Sequence, residues 1–182
     1  MLQRLTSLAV ASLWLSTAVG ADALELRSSD VTEGSTLGKA QVYSGYGCTG
    51  ENLSPALTWT GAPAGTRSFA VTVYDPDAPT GSGWWHWIVY DLPPATSSLS
   101  RGIGRGAELP AGAQQARNDF GTRDFGGACP PPGNKPHRYI FTIHALKVDK
   151  LDVPPDAGAA RVGVAINVNQ IDKASITARY GR

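Results

Sequence analysis

Three stretches of this chain alternate apolar and polar side chains residue by residue, and an extended strand is the local structure that turns successive side chains to opposite faces. The first, Arg67 to Tyr74 (RSFAVTVY), puts Phe69, Val71 and Val73 on one face. The second, Trp85 to Tyr90 (WHWIVY), sets Trp85, Trp87 and Val89 against His86, Ile88 and Tyr90. The third, His137 to Leu146 (HRYIFTIHAL), sets His137, Tyr139, Phe141 and Ile143 against Arg138, Ile140, Thr142 and His144. Shorter runs at Leu24–Arg27, Ala40–Tyr43, Ala56–Thr60 and Ser175–Tyr180 read as further strands. One segment has helical spacing: Ala160, Val164 and Val168 recur every four residues, and Asp156 is placed to cap its start. The 21 glycines and 13 prolines fit many short elements joined by turns. Seven or so strands with one late helix predict an antiparallel β-sandwich.

The length, 182 residues, suits one domain, and 42% hydrophobic against 17% charged residues gives that domain a core and argues against disorder. Net charge is +1, with no basic run longer than a pair, which argues against nucleic acid as a partner and against a polybasic membrane anchor. The first stretch reads as a secretory signal peptide. Arg4 supplies the positive start, Leu5 to Val19 is an uncharged apolar run, and small residues follow up to Ala23. Cleavage after Ala23 or Gly20 fits these small residues; Ala23 is favoured and makes residues 1–23 the signal and 24–182 the domain. The destination is then the periplasm or the extracellular space, with no integral membrane segment after cleavage. In an oxidising compartment Cys48 and Cys129 read as a disulfide closing a loop of roughly 80 residues, worth about 4 kcal/mol in the chain-entropy model; two separate buried thiols are the alternative.

Two segments rich in proline and glycine carry the polar residues of interest, and strand-end loops are where rigid scaffolds mount sites. One is Tyr74-Asp75-Pro76-Asp77-Ala78-Pro79, followed by Thr80-Gly81-Ser82-Gly83 and Trp84-Trp85-His86-Trp87. The other runs from Gly126-Gly127-Ala128-Cys129 through Pro130, Pro131 and Pro132 to His137-Arg138-Tyr139. The stiff Asp75–Pro79 turn is a candidate for a cis X-Pro bond. Its two carboxylates fit general acid/base work, or simply turn formation through backbone N–H bonds. If the strands bearing His86 and His137 are sheet neighbours, His86, His137 and Tyr139 converge beside Asp75. Two imidazoles, a phenol and a carboxylate suit a phosphate or carboxylate ligand. His144, on the other face, reads as structural.

Other chemistries have less support. A metal site lacks HxH, HExxH or Cys/His spacing, and none is expected. Gly81-Ser82-Gly83 is a flexible turn, not a nucleophile elbow, and the second loop lacks a phosphate-binding GxxxxGK[ST] pattern. Of the tryptophans, Trp87 is expected in the core, and Trp84 or Trp85 at a pocket rim.

Asp75-Pro-Asp-Ala-Pro79 with Trp85-His86-Trp87-Ile-Val-Tyr-Asp-Leu-Pro93 resembles the signature of the phosphatidylethanolamine-binding protein family, and Pro130-Pro131 with His137-Arg138-Tyr139 resembles its second signature. The likeness is closest to the bacterial branch labelled Raf kinase inhibitor-like, in its exported, cysteine-containing members. It implies a Greek-key antiparallel β-sandwich with short peripheral helices. It also implies a pocket for phosphate, acetate or a phosphoethanolamine head group. Carried over position by position, that pocket involves Asp75, Pro79, His86, Gly127, Pro131, His137 and Tyr139, with Asp77 and Trp85 in its wall or supporting it and Tyr180 as a further candidate. The resulting expectation is a non-catalytic anion-binding protein without cofactor. The alternatives are a protein–protein inhibitor of a kinase or other signalling partner acting through the pocket rim, and a hydrolase using the Asp75/His86 pair. Bacterial relatives are often homodimers, an assembly that the residues of this chain neither support nor exclude.

Overall fold

The computed structural model describes residues 23–103 and 109–182, so the expected signal peptide, apart from Ala23, lies outside the described residues. The core of the molecule is a five-stranded sheet in the order β10-β9-β5-β6-β8. These strands are β5 (Ser68–Asp75), β6 (Trp84–Leu92), β8 (Gln114–Gln115), β9 (His137–Leu146) and β10 (Gln170–Tyr180). A three-stranded sheet, β1 (Glu25–Arg27), β4 (Leu57–Thr60) and β7 (Ser98–Leu99), packs on one face. A helix, α1 (Ala159–Asn169), packs on the other. Every ladder between these strands is antiparallel, as the alternating runs predict.

Phe69, Val71 and Val73 of β5 meet Leu26, Leu57, Trp59 and Leu99 of the small sheet in the larger core. Ala70, Ile88 and Leu146 face Val162 and Ile166 of α1 in the smaller one. β5 is paired on both edges and covered on both faces, which makes it the rigid axis of the fold. A two-residue hairpin, β2 (Ser44–Gly45) and β3 (Cys48–Thr49), stands apart from both sheets.

Three local expectations are corrected. Ala40–Tyr43 is not a strand: its backbone closes i to i+3 bonds over Lys39–Gln41, so only Val42 bridges Ala128, while the Ala40 and Val42 carbonyls accept from Leu53 and Asn52. The helix is capped by Gly158 rather than by Asp156. It buries Ala159, Val162, Gly163 and Ile166, while Val164 and Val168 are 61% and 66% exposed. The four-residue spacing was therefore that of the outer face. All described peptide bonds are trans, those of the Asp75–Pro79 turn included.

His144 is structural, as expected. Buried on the α1 face of the sheet, it meets Thr72 Oγ1 through Nε2 at 3.0 Å and Gln170 Oε1 through Nδ1 at 2.7 Å. Burial pushes its pKa down from 6.5 to about 4. The unfolded chain therefore takes up this proton first, and stability is lost as pH falls from the ordinary histidine value through 4. The full loss from this one group is about 3 kcal/mol. Denaturant unfolding at pH 7 and pH 4 should show a smaller difference for His144→Gln than for the native chain by about that amount. Equal differences would remove His144 from the acid response.

Candidate functional site

β5 ends, and β6 and β9 begin, at the same edge of the central sheet, so the sequence brings Asp75, Trp84 and His137 together at one end. The strands of His86 and His137 are not neighbours, because β5 lies between them. A bulge makes convergence possible. Val73 pairs with Trp87 and Tyr74 with Trp85, so His86 is an extra residue with no partner of its own on β5. Such an insertion breaks the alternation and re-aims a side chain. His86 thereby faces Tyr139, ring centroids 5.1 Å apart, on the side where Trp87 is buried. Trp85 turns instead to Tyr74 and to Gly163 of α1. Trp85 and Trp87 thus lie on opposite faces, correcting the reading of an unbroken strand.

The result is a cavity of about 410 Å³. Asp75, His86, His137 and Tyr139 form its floor, each no more than 3% exposed. Pro79 and Pro131 line it as expected, and Trp84, not Trp85, provides the tryptophan of the wall. Phe120, Tyr46 and Arg182 also line it, and no sequence pattern pointed to them. Phe120 is held by a loop zipped along β6. Asp119 exchanges bonds with the Trp85 backbone, Gly126 N–H and the Asn118 amide both donate to the His86 carbonyl, and the Phe120 ring lies where a Cβ on Gly126 would stand. Trp85 thus supports the site through its backbone.

Gly127 does not line the cavity. A Cβ there would lie 2.5 Å from the Gln41 carbonyl oxygen and 2.6 Å from Tyr43 N, so it permits two backbones to meet behind the wall. Asp77 faces an adjoining cleft, where it accepts two guanidinium bonds and the backbone N–H of Arg138. These bonds hold its carboxyl down at about 2. Tyr180 pairs opposite His137 but lies outside the cavity lining; Arg182, two residues on, reaches it.

The floor is chemically specific. His137 Nδ1 lies 2.7 Å from Asp75 Oδ2, and Asp75 Oδ1 accepts the Asp77 backbone N–H at 2.8 Å. The Asn134 amide approaches His137 Nε2 at 3.5 Å. His86 Nδ1 lies 2.7 Å from the Gly126 carbonyl, which only accepts, so Nδ1 carries the proton. Burial lowers the His86 pKa, against the raising pull of the Gly126 carbonyl and of the Asp75 and Asp119 carboxylates. In its neutral form the ring therefore has a bare Nε2. Burial, reinforced by Asp75, pushes the Tyr139 phenol far above its ordinary range, so it keeps its proton. Its oxygen feels the Cys129 backbone only weakly and its buried O–H has no acceptor; Trp84 Nε1 is likewise buried without a partner. Among the described residues no cluster of side chains suits a metal ion.

The mouth is built from two chain segments. The β2–β3 hairpin carries Tyr46, 72% exposed, and the proline-rich loop carries Pro130 to Pro132. The Cys48–Cys129 disulfide joins them.

The family model described as "Phosphatidylethanolamine-binding protein" matches residues 27–181. The UPF0098 protein YbcL of Escherichia coli is 52% identical over 162 residues, 88% of each chain. Its crystal structure superposes with a TM-score of 0.86, covering 88% of this chain and 99% of that one at 51% identity. The UPF0098 protein YbhB of the same organism is 48% identical over 158 residues, 86% of this chain and 99% of YbhB. A Mycobacterium tuberculosis protein named as a lipoprotein, LppC, is 38% identical over 121 residues, 66% of this chain and 56% of that one. That relative and the disulfide both point to an exported protein.

Proposed function

Since the chain belongs to the phosphatidylethanolamine-binding protein family, we propose that it is a non-catalytic receptor for a small oxyanion, a phosphate or a carboxylate, working in the periplasm. The observation that carries this reading is the floor of the cavity. Four polar side chains from three strands are buried there together, and the Tyr139 O–H finds no protein acceptor. An orphaned buried hydroxyl costs about 1–3 kcal/mol, which a bound oxygen accepting its proton would recover in part. Turnover has little support. Cys129 is tied in the disulfide, and the Thr80 hydroxyl, the one side-chain hydroxyl lining the cavity besides the tyrosines, already donates to the Gly83 carbonyl.

The charge state of the floor makes binding proton-linked. A neutral His86 turns a lone pair on Nε2 to an incoming oxyanion, which repels it; a protonated ring donates to it. The anion therefore brings up to one proton with it at pH values between the lowered pKa of free His86 and the higher pKa of the ring in the complex. Affinity should fall as pH rises above 6.5, by up to about tenfold per pH unit. Acetate is the suitable probe, since its own charge is constant in that window. Calorimetric titration at several pH values gives the slope, and a flat profile would remove His86 protonation from the mechanism.

A further inference from the structure

The cavity is too large and too apolar for a bare oxyanion. Its volume of about 410 Å³ is room for roughly a dozen waters at liquid density. Above the floor its walls are the rings of Trp84, Phe120 and Tyr46 and the edge of Pro131. An acetate or phosphate on the floor would leave those walls facing water. They instead offer an apolar slot, in which Trp84 stands edge-on to Phe120 at 80° and Tyr46 stacks on the same ring with centroids 6.1 Å apart.

Arg182 stands at the mouth of that slot. Its Nε donates to the Pro130 carbonyl at 2.7 Å, Nη1 to Gly47 at 3.1 Å and Nη2 to Tyr46 at 3.3 Å. Those carbonyls belong to the two segments that form the mouth, so the guanidinium is held in one orientation. A guanidinium has five N–H groups, and three are used, so two remain. None of the ion pairs among the described residues includes Arg182. An oriented cation with spare donors and no carboxylate partner is an anion-binding group in waiting.

We propose that the cavity takes a two-headed ligand: an oxyanion on the floor at His86 and Tyr139, an apolar body lying against Trp84, Phe120 and Tyr46, and a second anionic group held by Arg182. This rests on the oxyanion reading of the floor and adds the class of ligand that fills the rest of the site. Arg182 is then the residue that selects ligands by their second charge, while the floor binds the head group common to all of them.

Calorimetric titration with acetate, phenyl phosphate and 4-carboxyphenyl phosphate tests it. The phosphates share head and ring and differ in the carboxylate. The carboxylated probe should bind the native protein at least tenfold more tightly than phenyl phosphate. Arg182→Gln should bring the affinities of the two phosphates to within about twofold of each other, whatever it does to both by freeing the Pro130, Gly47 and Tyr46 carbonyls. Equal affinities of the two phosphates for the native protein would overturn the proposal, whatever the variant does. So would an Arg182→Gln protein that weakens both equally. Binding of acetate without either phosphate would overturn the two-headed ligand and leave the oxyanion site standing; no binding by any of the three would remove the oxyanion site itself.

Discussion

Replacing His137 with alanine is expected to lower the unfolding free energy by about 3–5 kcal/mol. The change would leave the Asp75 carboxylate buried at 3% exposure, with the Asp77 backbone N–H as its remaining hydrogen-bond donor and no imidazole hydrogen-bonded to it. Breaking one side of a buried pair costs more than losing the pair, because the stranded charge keeps its desolvation penalty. The double variant Asp75→Ala/His137→Ala should therefore cost less than the sum of the two single changes. Urea unfolding of all three variants supplies the cycle. A His137→Ala protein within about 1 kcal/mol of the native chain, or strictly additive effects, would show that the pair stabilises little.

The second large effect concerns the disulfide. Cys48 and Cys129 are 81 residues apart in sequence, and linking them removes much of the freedom of the unfolded chain, about 4 kcal/mol in the chain-entropy model. Reduction, or the double change Cys48→Ser/Cys129→Ser, should lower the unfolding free energy by about that amount. The bond also ties the hairpin to the proline-rich loop at the cavity mouth, so the reduced protein should bind anions less tightly than the oxidised one under conditions where both are folded. Identical denaturant midpoints with and without reductant would mean that the backbone bonds between these segments, such as Tyr43 N to Ala128 O at 3.0 Å, already hold them.

Much of this arrangement was legible in the residues. The three long alternating runs became β5, β6 and β9 to within a residue or two at each end, because side chains turned alternately to two differently packed faces leave a period of two. The second strand kept that pattern in its letters while losing it in space. A bulge adds a residue without changing the local composition, so nothing in WHWIVY announces that His86 has left the face it shares with Ile88 and Tyr90 in a regular strand. Ala160, Val164 and Val168 misled for a related reason: small apolar residues tolerate exposure, and their spacing does not say which side of a helix meets the sheet. At the site, Asp75, His86, His137 and Tyr139 stood out as rare polar residues beside proline-rich loops. Phe120, Tyr46 and Arg182 did not, since each arrives from a distant loop or terminal stretch through contacts that leave no short-range pattern.

The bulge at His86 also makes the site depend on a count as well as on an identity. A one-residue deletion in β6 between Trp84 and Trp87 would let the site end of the ladder with β5 close without interruption, and β5 and β9 would stay paired. Strand phase would then decide which ring enters the cavity. Function in this fold is thus exposed to insertions and deletions in a place where sheets usually accommodate substitutions: a chain could keep its layers, its core and its signature letters, and lose the pocket by being one residue too regular.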